Sequence, residues 1–324
     1  MSTRSPLQVP KWISRTALAL ALSVSMVLTV ASANAEETTN RLASNRLASN
    51  RLASNRLASN RLASNRLASN RLASNRLASN GLASDKLAST RLQANSETAD
   101  MLNTADGREV YSYIVSCALP EGTTIEADVP GDEDTAPPNT IYSCNKEHCV
   151  FSGSVGLAEH WIDRRLDQKG QRWVTACLLA RVNHYGVTEI ISMRGIAPEL
   201  SVSPEEAEQY SLQEGAFYGN LFADGDGPLD WNACRGKDKA ASPDKAGLEL
   251  RACAEPDPND PTHTVCGFKY AGDCGSFAQA PERHACLTFD AEDGTYGDCI
   301  ATEENAHGTP SKLYREVITT YVKH

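Results

Sequence analysis

The sequence lacks the short motifs that identify the commonest enzyme classes. It contains no HExxH pair for zinc, no glycine-rich Walker loop for nucleotide phosphates and no GxSxG turn for a nucleophilic serine. The stretch SGSVG at residues 152–156 departs from that last pattern and is more typical of a turn. We expect no cofactor, although a catalytic site assembled from scattered side chains would leave no motif.

Cysteine is absent from the first 116 residues, and all ten cysteines follow. No two of them are spaced as CxxC, and none belongs to a CxxCH haem motif. An even number of cysteines behind an export signal predicts disulfides, whereas zinc would need better ligand spacing than Cys144 and Cys149 beside His148 provide. The predicted disulfide cysteines are Cys117, Cys144, Cys149, Cys177, Cys234, Cys253, Cys266, Cys274, Cys286 and Cys299.

The cysteines fall into a group of four and a group of six, separated by the gap between Cys177 and Cys234. Cys144 and Cys149 flank a polar loop between two β-like runs, so a hairpin would bring them close enough to bond. Closing the first group internally then pairs Cys117 with Cys177. The pairing within the second group stays open.

Residues 1–35 have the pattern of an export signal. Basic residues precede an apolar run at 16–30, and the small-x-small sequence ANA predicts cleavage between Ala35 and Glu36. An uncleaved anchor is the alternative, but no other apolar stretch is long enough to cross a bilayer. We therefore expect no transmembrane segment after cleavage, and a secreted, periplasmic or cell-envelope location.

A pentapeptide repeat follows the signal. Eight identical RLASN units occupy residues 41–80, and three diverged copies extend to residue 95. On a helix, each step of five residues turns a side chain by about 140°. On a strand, the odd period places successive leucines on opposite faces. Neither structure gives one apolar face, so we predict that 36–105 is a low-complexity spacer and largely disordered.

The repeat also resembles the pentapeptide-repeat proteins in its period and in its single leucine per unit. That resemblance implies a square β-solenoid, with the repeat itself as a binding scaffold. The chain departs from the family pattern at two positions of each unit. Asn45 would have to point inward two residues before Leu47, and Arg46 replaces the usual Asn or Asp.

Charge is divided sharply along the chain. Residues 1–95 contain 13 basic and 3 acidic residues, a formal charge of +10, whereas 96–324 contain 18 basic and 38 acidic residues, a formal charge of −20. A globular region this acidic is not expected to bind nucleic acid. The basic repeat predicts a weak, salt-sensitive contact with an anionic envelope surface; the alternative is that its arginines only keep the spacer soluble.

Beyond the spacer, the sequence predicts an α+β fold. Residues 106–223 are expected to form a small mixed sheet with two or three helices. Residues 224–324 are rich in Gly, Pro, Asp and Cys, which predicts a loop-rich module held by disulfides and packed on the first part. Segments 1–35, 36–105, 106–223 and 224–324 are thus the expected signal, spacer, domain and module.

Local patterns predict individual elements. Arg108–Leu119 is rich in Val, Ile and Tyr, which favours a strand. Gln171–His184 has helical periodicity that points Cys177 inward, and Ser203 with the following Pro predicts a helix start. The β-branched run Leu313–Val322 predicts a closing strand, which indicates that the two parts share one sheet or pack closely.

Acidic turns suggest a calcium site, because calcium binds carboxylate oxygens on tight glycine-containing loops. Neither stretch matches the EF-hand pattern, and ordinary acidic turns are the alternative. The candidate ligands are Asp224, Asp226, Asp230, Asp290 and Asp293.

Taken together, these features favour an exported, disulfide-stabilised binding or structural protein of the cell envelope or exterior. A secreted hydrolase with a dispersed active site is one alternative. A solenoid scaffold that binds through the repeat is the other.

Overall fold

The computed structural model describes residues 102–103, 105–127, 142–145, 148–185, 189–222, 230–245, 247–275, 284–301 and 312–323. These residues contain four α-helices. The signal, the repeat with its solenoid alternative, the Ala35–Glu36 cleavage position and the candidate ligands Asp224 and Asp226 lie outside these residues. The helices are α1 (Ala105–Ala118), α2 (Gln168–Arg181), α3 (Pro204–Gln209) and α4 (Lys237–Ala241).

Thirteen strands occur in the same described residues, in agreement with the predicted α+β class. They are β1 (Thr124–Ala127), β2 (Tyr142–Cys144), β3 (Cys149–Ser152), β4 (Ile191–Arg194), β5 (Leu212–Asn220), β6 (Asp230–Arg235), β7 (Pro256–Asp257), β8 (Asp260–Thr264), β9 (Lys269–Asp273), β10 (Cys286–Asp290), β11 (Thr295–Ile300), β12 (Leu313–Tyr314) and β13 (Ile318–Val322).

The strands form three sheets. The largest has the order β4-β13-β5-β6-β9-β8-β7 and is antiparallel except where β6 pairs with β9. The other two have the orders β1-β3-β2 and β10-β11-β12. The large sheet takes β4 and β5 from 106–223 and its other strands from 224–324. The expectation that the two parts share a sheet through the C-terminal strand is therefore confirmed. The boundary between 223 and 224 stays a prediction.

The first helix corrects a sequence prediction. Arg108–Leu119 was expected to be a strand, but α1 occupies Ala105–Ala118. Every residue from Val110 to Leu119 is buried. The polar residues Arg108, Ser112 and Ser116 of this run recur every four positions, a helical spacing that its Val-, Ile- and Tyr-rich composition obscures. Packing against α2 therefore outweighs the β-branched composition of the run.

Helix α2 begins three residues before its predicted start. The Asp167 side chain caps it by accepting a hydrogen bond of 2.7 Å from the Gly170 N–H. The helix ends at Arg181 instead of continuing to His184. Arg181 is fully buried, with Nη1 donating to Ser116 Oγ of α1 at 3.1 Å. Burial lowers the pKa of the Arg181 guanidinium to about 10.

The predicted start of α3 is confirmed. Ser203 Oγ accepts from the Glu206 N–H at 3.2 Å, and Pro204 occupies the first position of the helix. The helix was expected to run to about Gln213 but ends at Gln209, and β5 starts at Leu212. All nine residues of β5 are buried, which places this strand in the centre of the core.

All ten cysteines lie in the described residues, and the structure joins them in five disulfides. It contains both bonds that the sequence analysis predicts for the first group. In the second group, each bond links residues that adjoining strands or turns bring together. The five pairs are Cys117–Cys177, Cys144–Cys149, Cys234–Cys274, Cys253–Cys266 and Cys286–Cys299.

Candidate binding surface

The described histidines do not assemble a catalytic centre. His263 comes nearest, with Nδ1 at 2.8 Å from Asp260 Oδ2 and 3.0 Å from Thr262 Oγ1. A catalytic triad needs the two ring nitrogens to face different partners. Here one nitrogen faces both, on the exposed strand β8. His160 lies on another surface, 3.5 Å from Asp167.

The candidate calcium ligands that the structure describes do not meet in one site, and each has other partners. Asp230 is buried and accepts hydrogen bonds from Tyr314 Oη at 2.7 Å and Asn232 Nδ2 at 2.8 Å, with Lys269 Nζ at 3.3 Å. This polar cluster ties β6 to β9 and β12. Burial, and then the charge of Asp230, raise the pKa of the Tyr314 phenol.

Asp290 and Asp293 lie together in the exposed turn between β10 and β11, away from Asp230. Asp290 Oδ1 accepts from the backbone N–H groups of Glu292 at 2.9 Å and Asp293 at 3.3 Å. No group of three His, Cys, Asp or Glu side chains that could hold a metal ion occurs among the residues that the structure describes.

A buried ion pair lies deeper in the molecule. Arg251 Nε donates to Glu214 Oε2 at 2.8 Å, and neither side chain is exposed. Thr320 Oγ1 donates to the same carboxylate oxygen at 2.8 Å, and Arg251 Nη2 donates to the Ala180 carbonyl at 2.8 Å. These contacts join α2, β5 and β13. Because the pair is sealed from solvent, its role is to hold the core together.

The surface with the strongest features of a binding site is the small sheet β10-β11-β12. Its strand β10 exposes two large apolar side chains, Leu287 at 60% and Phe289 at 45%. Leu313 of β12 is exposed as well. The ladder with β11 is continuous from Thr288 to Asp290 but is interrupted at Leu287, opposite Asp298 with its φ of +49°. Alternation over the continuous part puts Phe289 on one face of β10, and Thr288 and Asp290 on the other. Neighbouring exposed apolar side chains of this size are typical of interaction sites.

Strand β10 is also an edge, because β11 is its only partner strand in the described residues. Phe289 pairs directly with Tyr296 of β11, and the Tyr296 N–H donates to Thr319 Oγ1 at 2.9 Å. That N–H therefore points away from β10, which makes Phe289–Tyr296 a non-hydrogen-bonded pair. The Phe289 N–H and C=O consequently face the open side of the sheet, where an added strand would bond.

The edge is held rigidly from behind. Cys286–Cys299 links β10 to β11, and Tyr296 Oη donates to Gln213 Oε1 at 3.0 Å. The Gly294 carbonyl accepts from Tyr321 Oη at 2.7 Å. Burial raises the pKa of the Tyr296 phenol, so that group stays protonated and keeps donating. A preordered edge of this kind loses little conformational entropy when a partner binds.

The electrostatic character of the edge is acidic. Residues 286–301 contain four acidic side chains and no Lys or Arg. Only one of the four, Asp298, has a described basic partner, Arg315, with Nε at 3.3 Å from Oδ1. The surface therefore favours a partner with basic side chains beside apolar ones. The four acids are Asp290, Glu292, Asp293 and Asp298.

Strand β10 was not predicted, because residues 224–324 are rich in Gly, Pro, Asp and Cys, a composition that favours loops. A signal was present: Leu287-Thr288-Phe289-Asp290 alternates apolar and polar residues with the period of a strand. The alternation covers only four residues between turn-rich stretches, so composition masked it. Edge exposure itself leaves no mark in the sequence, since it depends on which strands pair.

Comparison with protein-family models, with curated proteins and with solved structures finds no match to this chain. None of the described helices is long and apolar enough to cross a membrane.

Proposed function

We propose that this protein is an exported, disulfide-stabilised binding protein that recognises an extended segment by adding it as a strand to β10. The observation that carries the proposal is the outward-facing backbone of Phe289, together with the exposed apolar side chains of Leu287 and Phe289. Main-chain bonds supply affinity in this mode of recognition, and pockets for alternate side chains supply specificity. The five disulfides support a location outside the cytoplasm.

The partner that suits this edge is a short segment of alternating apolar and basic residues. Its apolar side chains would lie beside Leu287 and Phe289, which remain about half exposed or more in the folded chain. Burying a large apolar side chain fully contributes roughly 1.5–3 kcal/mol. Basic side chains on the other face would lie near Asp290. Such charge contacts are screened by salt, so affinity should fall as ionic strength rises.

Fluorescence anisotropy with labelled ten-residue peptides tests the proposal on the full chain with the leucines of its eight RLASN units replaced by Ser, so that the repeat does not compete for the edge. We expect a peptide of alternating Leu and Lys to bind, and peptides with Glu in place of Lys, or with central prolines, to bind at least tenfold more weakly. Proline removes the N–H groups that an added strand needs. The Phe289→Asp variant should lose binding by a similar factor.

Ile196→Asp is the matched control. Ile196 is 64% exposed and lies outside the three sheets, so an aspartate there adds the same charge at an exposed apolar position without touching β10. Equal losses in Phe289→Asp and Ile196→Asp, or equal binding of the Lys and Glu peptides, would refute recognition at this edge.

A further inference from the structure

The RLASN unit carries the same two-sided pattern that β10 presents. When a unit is extended, its adjacent Arg and Leu point to opposite faces. Strand β10 likewise has Phe289 on one face, and Thr288 and Asp290 on the other. A unit added beside β10 would place its Leu against Phe289 and its Arg on the face of Asp290.

We propose that the segment bound at β10 is an RLASN unit of this chain's own repeat, between residues 46 and 80, added in cis. This inference rests on the proposed function, because it names the partner of the same edge.

The five-residue period supports this assignment. The odd period prevents a long strand of RLASN units from having one apolar face. Strand β10, however, spans only five residues, and its first residue, Cys286, already donates to the Cys274 carbonyl, so the open part of the edge needs no more than a single unit. The mismatch that excludes the repeat from a regular sheet is therefore no obstacle here. Identical copies offer the edge several equivalent partners.

Charge complementarity points the same way. Each intact unit carries one Arg and no acid, whereas residues 286–301 carry four acids and no Lys or Arg. Residues 96–324 as a whole have a formal charge of −20. Long-range attraction would therefore concentrate the repeat around the acidic domain before the specific contact forms.

The chain is long enough for the contact. Twenty-four residues lie between Asn80 and Ala105, where α1 begins. A chain of that length reaches at most about 80 Å, against a radius of gyration of about 17 Å for a domain of this size. A tethered unit acts at an effective concentration in the millimolar range, so even a weak edge contact would be occupied.

Amide hydrogen exchange of residues 286–290 in the full mature chain tests the inference. One variant replaces the leucine of each of the eight units with Ser. A matched variant instead replaces the alanine of each unit with Ser, as in Ala43→Ser. We expect the leucine variant to exchange about tenfold or more faster at Phe289 than the native chain, and the alanine variant to match the native chain. High salt should reproduce the leucine effect in part.

Equal exchange in all three chains would overturn the inference. Protection that rises with protein concentration would also overturn it, since the unit would then come from a second copy. Adding the Leu–Lys peptide to the leucine variant separates the two proposals. If the peptide protects Phe289 in the leucine variant, strand addition at β10 is supported even when the repeat is not the bound segment. If the peptide gives no protection, both proposals are refuted.

Discussion

Cys234 Sγ and Cys286 Sγ belong to different disulfides and lie 3.8 Å apart. The two bonds are further connected by the Cys286 N–H, which donates to the Cys274 carbonyl at 3.0 Å. The sulfur cluster fastens the β10–β11 hairpin to β6 and the end of β9. The candidate binding edge is therefore anchored to the main sheet at its first residue.

This contact predicts a disulfide rearrangement. In a Cys274→Ser variant, the freed Cys234 thiolate lies within reach of Cys286 Sγ. Its attack would form Cys234–Cys286 and release Cys299 as the thiolate, with no external oxidant needed. Peptide mapping by mass spectrometry without reduction should find that new pair. In the control Cys253→Ser, Cys266 should stay a free thiol, and a Cys274→Ser chain that retains Cys286–Cys299 would contradict the prediction.

The two disulfides of the first group should differ in their contributions to stability. Cys117–Cys177 closes 60 residues and Cys144–Cys149 closes five. The loop-entropy relation gives about 4 kcal/mol for the first and about 2 kcal/mol for the second. Replacing each pair with alanines and measuring unfolding in denaturant should show the larger loss for Cys117–Cys177. The opposite order would mean that strain or residual unfolded structure dominates.

Removing one partner of the buried pair Glu214–Arg251 should lower the unfolding free energy strongly, whereas replacing both partners with apolar residues should lower it little. Arg251→Met leaves a buried carboxylate without its cation, and we expect a loss of about 3–5 kcal/mol in unfolding free energy. Adding Glu214→Leu should recover most of that loss, which a double-mutant cycle measures. Arg315→Met, which breaks the exposed pair with Asp298, should cost less than about 1 kcal/mol. Similar losses at both sites would contradict the role assigned to the core pair.

Glu206 predicts a pH dependence. Burial raises its pKa above the ordinary value, although the Ser192 hydrogen bond and the Arg194 charge oppose the rise. The folded state therefore holds this proton more tightly than the unfolded state. The contribution to stability is present below the ordinary pKa and is lost as pH rises through the folded pKa.

Glu206→Gln should remove that slope, as unfolding free energies measured between pH 4 and pH 7 would show. The neutral change Gln209→Asn on the same helix should leave the slope in place. An unchanged slope in Glu206→Gln would show that this carboxyl does not carry the effect.

Features that depend on a few neighbouring residues were predictable from the sequence. The Cys144–Cys149 bond and the Ser203 cap were predictable, because each depends on a few neighbouring residues. Helix α1 was predicted wrongly, since the Val, Ile and Tyr content of the run outweighed the helical spacing of Arg108, Ser112 and Ser116. The edge at Phe289 was not predictable, because it arises from strand pairing among distant segments.

The most direct test of strand addition at β10 is residue-resolved amide exchange, measured by NMR while the Leu–Lys peptide is added to the chain whose eight repeat leucines are replaced with Ser, so that the repeat does not already protect Phe289. The Phe289 N–H faces the open edge, whereas alternation turns the Thr288 and Asp290 N–H groups toward β11. The account predicts that exchange slows at Phe289 and stays unchanged at Thr288 and Asp290. Uniform slowing along β10, or no slowing at Phe289, would contradict it.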